Sequence, residues 1–314
     1  MTRMRLLFAG TPTVALPSLA ALLASKHEVV GVLTRPDAPV GRSKTPVPSP
    51  VKAAAEEAGI EVFTLPAKSA ELATTLQKLD LDAAAVVAYG ALLPPQLLTI
   101  PRYGWINLHF SLLPAWRGAA PVQAALLAGD DITGACTFQI EEGLDTGPVF
   151  GSLTETIRPT DTAGDLLDRL ATAGSRLMVD TMSGIADGIL SPVAQVGEPT
   201  YAPRLVRDDA RVRWTHPAQA VDRRVRACTP NPGAWTELSG KRIGLGPVRP
   251  TSQSGLAPGE IAATKRTVLV GTATHAVELG PVTPAGRKQM AAADWARGNQ
   301  VDGLSFDDYP GTTE

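Results

Sequence analysis

Cysteine is scarce: 314 residues hold only Cys136 and Cys228, far apart and outside any Cys-x-x-Cys or Cys/His grouping. That scarcity excludes a disulfide framework and argues against a cysteine-built zinc site. It leaves both thiols to be read as small reduced core side chains. Long apolar runs are missing as well. Leu6-Leu7-Phe8-Ala9 is too short for a signal peptide and breaks at Gly10-Thr11-Pro12. No stretch approaches the ~18 apolar residues that a membrane span needs, so a cytoplasmic protein without a membrane partner is expected. The first turn also lacks the glycines of a Gly-x-Gly-x-x-Gly fingerprint, which disfavours a nicotinamide oxidoreductase. No internal repeat or low-complexity tract is found.

What is present is ordinary globular material, 44% apolar and 19% charged, long enough for about two domains. The net charge of −2 argues by itself against a nucleic-acid partner, but its distribution does not. Residues 1–203 carry 14 Lys+Arg against 20 Asp+Glu, residues 204–300 carry 15 against 7, and the last 14 residues add four acids and no base. A basic C-terminal body beside an acidic N-terminal one suits a polyanionic partner for the second half. A solvated basic surface without a partner has the same composition.

The periodicity predicts strands over residues 5–9, 29–33, 61–65, 83–88 and 105–108, with helices over 13–25, 50–58, 69–79 and 119–128 between or after them. Strands alternating with helices imply a mainly parallel sheet covered on both faces, with ligands bound outside the carboxyl ends of its strands. Two further strand-like runs, 132–140 and 148–156, flank a turn at 141–147. A long helix is expected over 162–187, its start marked by Thr160 and Asp161. Residues 190–208, with Pro192, Pro199 and Pro203, read as a linker between a domain over 1–189 and another over 209–314. The second domain is predicted to open on a helix near 217–227. Short runs rich in Gly and Pro follow (242–245, 260–262, 267–270, 276–279), which suggests a small β-barrel.

Several segments carry side chains capable of chemistry. If 105–108 is a strand, Asn107 and His109 point to one face at the functional end of the sheet. An Asn amide can donate to a developing oxyanion, and a His can donate or accept a proton near neutral pH. A turn histidine beside a capping Asn fits the same tripeptide. Asp145, in Gly143-Leu144-Asp145-Thr146-Gly147, sits where flanking glycines let the backbone turn sharply. Beside His109 it would raise the imidazole pKa and orient the ring; alone it fits an Asx turn. Ser111, Leu112, Leu113 and Pro114, followed by Trp116 and Arg117, form a rigid apolar loop able to wall a flat ligand or simply to pack down on the surface. Arg42 and Lys44 lie in a Gly/Pro-rich loop that could clasp a phosphate backbone or remain solvated.

The joined stretch from Asn107 to Pro121 is long and specific. With Gly143-Leu144-Asp145-Thr146-Gly147 downstream it resembles the signature of the folate-dependent formyltransferases. The resemblance extends over nearly the whole chain and favours the branch acting on methionyl-tRNA. Phe8-Ala9-Gly10-Thr11-Pro12, Arg35-Pro36-Asp37, Pro48-Ser49-Pro50-Val51-Lys52 and Val86-Val87-Ala88-Tyr89-Gly90 carry it in the first half. The stretch from Ala227 to Trp235, and Pro284-Ala285-Gly286-Arg287-Lys288-Gln289-Met290, carry it in the second. The resemblance implies an α/β Rossmann-like formyltransferase domain followed by a smaller OB-like β-barrel that helps hold tRNA. It implies 10-formyltetrahydrofolate as co-substrate, no metal, initiator methionyl-tRNA as partner, a monomer, and formyl transfer to the methionyl α-amine for translation initiation. In that reading Asn107 and protonated His109 stabilise the oxyanion, and Asp145 holds His109 charged and assists proton transfer. Ser111, Leu112, Leu113 and Pro114 line the folate site with help from the backbone near Tyr89 and Gly90, and Arg42 and Lys44 touch tRNA. The Arg42 loop carries fewer lysines than is usual in the family. The alternatives are a formyltransferase acting on an amino sugar-nucleotide or on glycinamide ribonucleotide, and a non-catalytic tRNA-binding protein of the same fold.

Overall fold

The computed structural model describes residues 2–39 and 45–307. Arg42 and Lys44 lie outside the described residues. The chain forms two compact units. One is built from the residues up to Pro121 with Ile132–Thr156 and Leu167–Tyr201, the other from Val122–Asp131, Ile157–Leu166 and the residues from Ala202 on.

The first unit holds a seven-stranded sheet: β1 (Arg5–Gly10), β2 (Glu28–Leu33), β3 (Val62–Phe63), β4 (Ala83–Val87), β5 (Trp105–His109), β6 (Ile132–Gln139) and β7 (Val149–Thr156). Their order is β7-β6-β5-β4-β1-β2-β3. β1 to β5 run parallel, whereas β6 lies antiparallel to β5 and β7 antiparallel to β6. The parallel strands are apolar without alternation: Leu6, Leu7, Phe8 and Ala9 are buried, as are all five residues of β4. This is the pattern of strands covered on both faces. The order reverses between β1 and β4, the switch point outside whose carboxyl ends such sheets bind ligands. The loops leaving the two strands are tied there, the Thr11 hydroxyl donating to the Tyr89 carbonyl at 2.9 Å.

Helices α1 (Leu16–Leu23), α2 (Pro50–Glu57), α3 (Ala70–Gln77) and the single turn α4 (Pro95–Leu98) connect the parallel strands, and α5 (Pro121–Ala128) and α6 (Ala163–Ala186) follow. Their starts are set by local chemistry. Ser49 Oγ accepts from the Lys52 amide at 3.0 Å, with Pro50 as first helical residue, and Ser69 Oγ accepts from the Leu72 amide at 3.4 Å. The long helix α6 opens on a reciprocal box, not on Thr160 and Asp161. The Asp165 amide donates to Thr162 Oγ1 at 3.2 Å while the Thr162 amide donates to the Asp165 carboxylate at 3.0 Å. Asp161 instead accepts from the Arg158 amide at 2.8 Å and shapes the preceding turn. Further along α6, a Cβ on Gly174 would sit 2.8 Å from Leu108 Cδ2, so the glycine lets the helix lie against β5 without displacing that side chain.

In the second unit two four-stranded antiparallel sheets share one apolar core. One sheet comprises Trp235–Leu238, Lys241–Leu245, Pro281–Pro284 and Met290–Ala291, the other Arg249–Pro250, Val277–Glu278, Val268–Val270 and Ile261–Ala263. Val221 and Val225 of α7 (Ala218–Ala227) and Trp295 of α8 (Ala292–Asn299) pack with Ile243, Val268, Val277 and Val282. Phe306 stacks between Trp214 and Trp295 with centroids 5.2 and 6.1 Å away. The strand-rich antiparallel domain is as expected, but periodicity missed the strands Trp235–Leu238 and Pro281–Pro284 and the helix α8. These elements are short, and proline or mixed polarity hides their period.

Candidate active site

β5 delivers Asn107 and His109 to the carboxyl end of the sheet. Asn107 pairs with Val86 of β4 on one side and Phe138 of β6 on the other, and His109 pairs with Cys136. Asn107 is half-buried, and its side-chain amide makes no hydrogen bond among the described residues. His109 is buried, with its ring edge-on to Phe138 at 6.2 Å.

Both ring nitrogens of His109 face acceptors. Nε2 lies 3.0 Å from the Trp116 carbonyl, and Nδ1 lies 3.8 Å from the Asp145 carboxylate. A carbonyl only accepts, so Nε2 carries the proton of the neutral ring and Nδ1 presents its lone pair. Burial pushes the His109 pKa below its ordinary value, while the Asp145 carboxylate and the Trp116 carbonyl pull the other way. Burial thus favours a neutral resting ring, not the charged one that the resemblance implied, and the carboxylate beside it is placed to stabilise the ring once it gains a proton.

Asp145 is fixed by its own backbone and by two loops. Its φ is 51°, in the left-handed region, and its carboxylate accepts the Gly118 amide at 2.7 Å. The flanking glycines do not supply that turn as expected: Asp145 itself takes the left-handed conformation. Gly147 serves close approach, since a Cβ there would fall 1.7 Å from the Gln139 carbonyl.

The segment 111–114 is shaped from within. The Ser111 side chain is buried and its hydroxyl donates to the Ala115 carbonyl at 2.6 Å, while Leu112, Leu113 and Pro114 stay half-buried. At Cys136 burial pushes the thiol up to about 12, against the Leu113 backbone amide, which donates toward the sulfur and pulls the other way. At the neighbouring Tyr89-Gly90 turn Tyr89 is buried, whereas a Cβ on Gly90 would meet no atom within 4 Å.

Thus Asn107, His109 and Asp145 come together, and segment 111–114 begins two residues after His109. Residues that motif reading passed over hold them there. The Trp116 carbonyl and the Gly118 amide belong to the recognised stretch, but their backbone roles are invisible in its side chains. Gln195 and Thr200 lie in the linker segment and carried no signal at all. The Arg117 guanidinium donates to Gln195 Oε1 at 3.1 and 2.6 Å, and Thr200 Oγ1 accepts from the Trp116 amide at 2.8 Å.

Comparison with known proteins fits this geometry. The family model described as "Formyl transferase" matches residues 3–182, and "Formyl transferase, C-terminal domain" matches residues 204–300. A methionyl-tRNA formyltransferase of Thermobifida fusca is 61% identical over 310 residues, covering 97% of this chain and all of that one. One of Streptomyces coelicolor is 59% identical, covering 95% of this chain and 98% of its own. In fold, the chain is like HypX of Aquifex aeolicus in complex with tetrahydrofolic acid (TM-score 0.68, 19% identity, 99% of this chain, 50% of that one). It is also like an N-formyltransferase of Helicobacter canadensis in complex with folinic acid and dTDP-3-aminofucose (TM-score 0.66, 16% identity, 91% of this chain, 100% of that one). The chain belongs to the formyl transferase family and, within it, to the methionyl-tRNA formyltransferases.

Proposed function

We propose that this enzyme transfers the formyl group of 10-formyltetrahydrofolate to the α-amino group of methionyl initiator tRNA, for translation initiation. The observation that carries the reading is the trio at the end of β5: an Asn107 amide without a partner among the described residues beside the His109–Asp145 pair. It stands in a chain alike to methionyl-tRNA formyltransferases along 97% of its length.

The folate is a co-substrate, and the open side of the Tyr89-Gly90 turn with the half-buried Leu112, Leu113 and Pro114 fits a wall for its flat ring. Ser111 supports that wall from behind, since its hydroxyl is bonded to Ala115. The methionyl amine attacks the formyl carbon, and negative charge develops on the formyl oxygen. The Asn107 amide donates to that oxygen, an interaction worth ~3 kcal/mol in the transition state. The attacking nitrogen sheds one proton and the departing folate nitrogen takes one up. Neutral His109 accepts the first, directly or through water, and returns it to the leaving nitrogen. The protonated ring belongs to the intermediate, where the Asp145 carboxylate 3.8 Å away stabilises it. The catalytic domain spans 1–189, the linker 190–208 and the tRNA-binding domain 209–314. The enzyme acts as a cytoplasmic monomer, and Arg42, Lys44 and the basic C-terminal half meet tRNA phosphates.

A second reading, transfer to an amino sugar-nucleotide, draws on the likeness in fold to the Helicobacter canadensis enzyme. The 15 bases against 7 acids over residues 204–300 favour tRNA. His109→Ala and Asp145→Ala are expected to abolish turnover while tRNA binding persists, and Arg42→Ala to weaken tRNA use more than folate binding. Equal loss of tRNA affinity in all three variants would undo this division of roles.

A further inference from the structure

Segment 193–200 runs as a strap along the catalytic loops. Val193 exchanges two backbone hydrogen bonds of 2.8 Å with Val149 at the start of β7. Thr200 closes the other end: its carbonyl accepts from the Arg117 amide at 2.8 Å, its amide donates to the Pro114 carbonyl at 3.3 Å, and its hydroxyl accepts from the Trp116 amide. Between them every residue is exposed except Pro199 and Gln195, which are half-buried.

Gln195 is bonded on both sides of its amide. Nε2 donates to the Asp145 carbonyl and to the Gly147 carbonyl, each at 2.8 Å, and Oε1 accepts from Arg117 Nε and Nη2 at 3.1 and 2.6 Å. The chemistry fixes the orientation. Two carbonyls only accept and a guanidinium only donates, so a flipped amide would lose all four bonds. One side chain thus ties the loop that carries Asp145 to the loop whose Trp116 carbonyl and Gly118 amide hold His109 and Asp145. We propose that Gln195 is a positioning residue for the formyl-transfer step, acting through Asp145 to keep the carboxylate in reach of the His109 ring. The inference rests on the catalytic reading of that pair given above.

Gln195 touches neither reacting group, so its removal reaches the reaction only by loosening the Asp145 loop. That loop has a non-glycine residue in the left-handed region, a conformation that persists where surrounding bonds enforce it. Gln195→Met keeps the length and removes all four bonds. Gln195→Glu keeps an acceptor for Arg117 but replaces the two donors with a carboxylate facing two carbonyls.

The test is single-turnover and steady-state formylation of methionyl initiator tRNA by the full-length chain. It compares wild type, Gln195→Met, Gln195→Glu, Asp145→Asn and the double variant Gln195→Met/Asp145→Asn, with a thermal melt of each. Both Gln195 variants are expected to lose ten- to a hundredfold in kcat while KM for either substrate moves less than threefold. In the Asp145→Asn background, Gln195→Met should cost less than threefold, since the group it positions is gone. A wild-type kcat in the Gln195 variants with Asp145→Asn inactive would overturn the inference and leave the catalytic pair standing, as would losses that multiply in the double variant. Wild-type kcat in Asp145→Asn would remove the catalytic pair itself and the inference with it. Should Gln195→Met fail to fold, Gln195→Glu, which retains the Arg117 arm, decides on the same criteria.

Discussion

Asp145→Asn separates charge from shape at the centre of the site. The carboxylate lies 3.8 Å from His109 Nδ1. At that range, with an effective dielectric of about 20, its attraction for a protonated ring is roughly 4 kcal/mol. Asparagine removes the charge and keeps a dipole. Because the Asp145 side chain is 17% exposed, solvent also screens part of the attraction. The protonated intermediate should therefore lose most but not all of this stabilisation, and the transfer step should slow by roughly 10²–10³-fold. The fold should hardly notice. Asn tolerates the left-handed φ of 51° as well as Asp does, and its Oδ1 can still accept the Gly118 amide, so a stability change under ~1 kcal/mol is expected. Single-turnover formylation at saturating folate, with a thermal melt alongside, measures both. The pH profile has a defined sign. Burial holds the wild-type His109 pKa below 6.5, so the rate falls on the acid side as pH drops through that lowered value. Asp145 pulls the pKa upward, so without it the acid limb of the residual activity moves to still lower pH, while ionisation of the substrate amine is common to both enzymes. A rate within fivefold of wild type, or an acid limb displaced upward, would refute the reasoning.

Other outcomes follow from the same geometry. Asn107→Ala should lower kcat by roughly 10²–10³-fold with little change in KM, as removal of one oxyanion donor does, and steady-state kinetics on both substrates checks it. Gly147→Ala drives a Cβ to 1.7 Å from the Gln139 carbonyl, so the loop must move; a loss of roughly 2–4 kcal/mol in denaturant titration, with falling activity, is expected. Arg42→Ala and Lys44→Ala should each raise KM for tRNA, leave the folate KM unchanged, and reduce the salt slope of tRNA binding by about one. Burial lifts the Cys136 thiol to about 12 and the Cys228 thiol to about 11. Neither should react with a thiol reagent at pH 8 until the protein unfolds, and rapid labelling of the native enzyme would contradict their buried placement.

The first half of the fold was legible because its strands are buried on both faces. Leu6 to Ala9 and the five residues of β4 have no alternation to confuse with an amphipathic helix, whereas periodicity passed over the caps Ser49 and Ser69 and counted Ser69 within its helix. The antiparallel edge of β6 and β7 was visible as two runs and a turn, but nothing local says that β6 pairs with β5. In the second unit, strands of two to four residues such as Arg249–Pro250 and Pro281–Pro284 are too short to show a period and contain proline. At the site, Asn107, His109 and Asp145 each fitted an ordinary turn when read alone, and only the resemblance carried by the joined stretch from Asn107 to Pro121 and by Gly143 to Gly147 grouped them as one site. Gln195 could not be found in that way. Its partners stand 78, 50 and 48 residues away, and its four bonds exist only once three loops have come together.

The most direct test of the central claim is formyl transfer from 10-formyltetrahydrofolate with competing acceptors: methionyl initiator tRNA, methionyl elongator tRNA, free methionine and an amino sugar-nucleotide. Fast transfer confined to the initiator tRNA is the predicted result. Transfer only to a small amine would contradict the assigned acceptor while leaving Asn107, His109 and Asp145 in their roles, and folate binding with no transfer to any acceptor would contradict the enzyme itself.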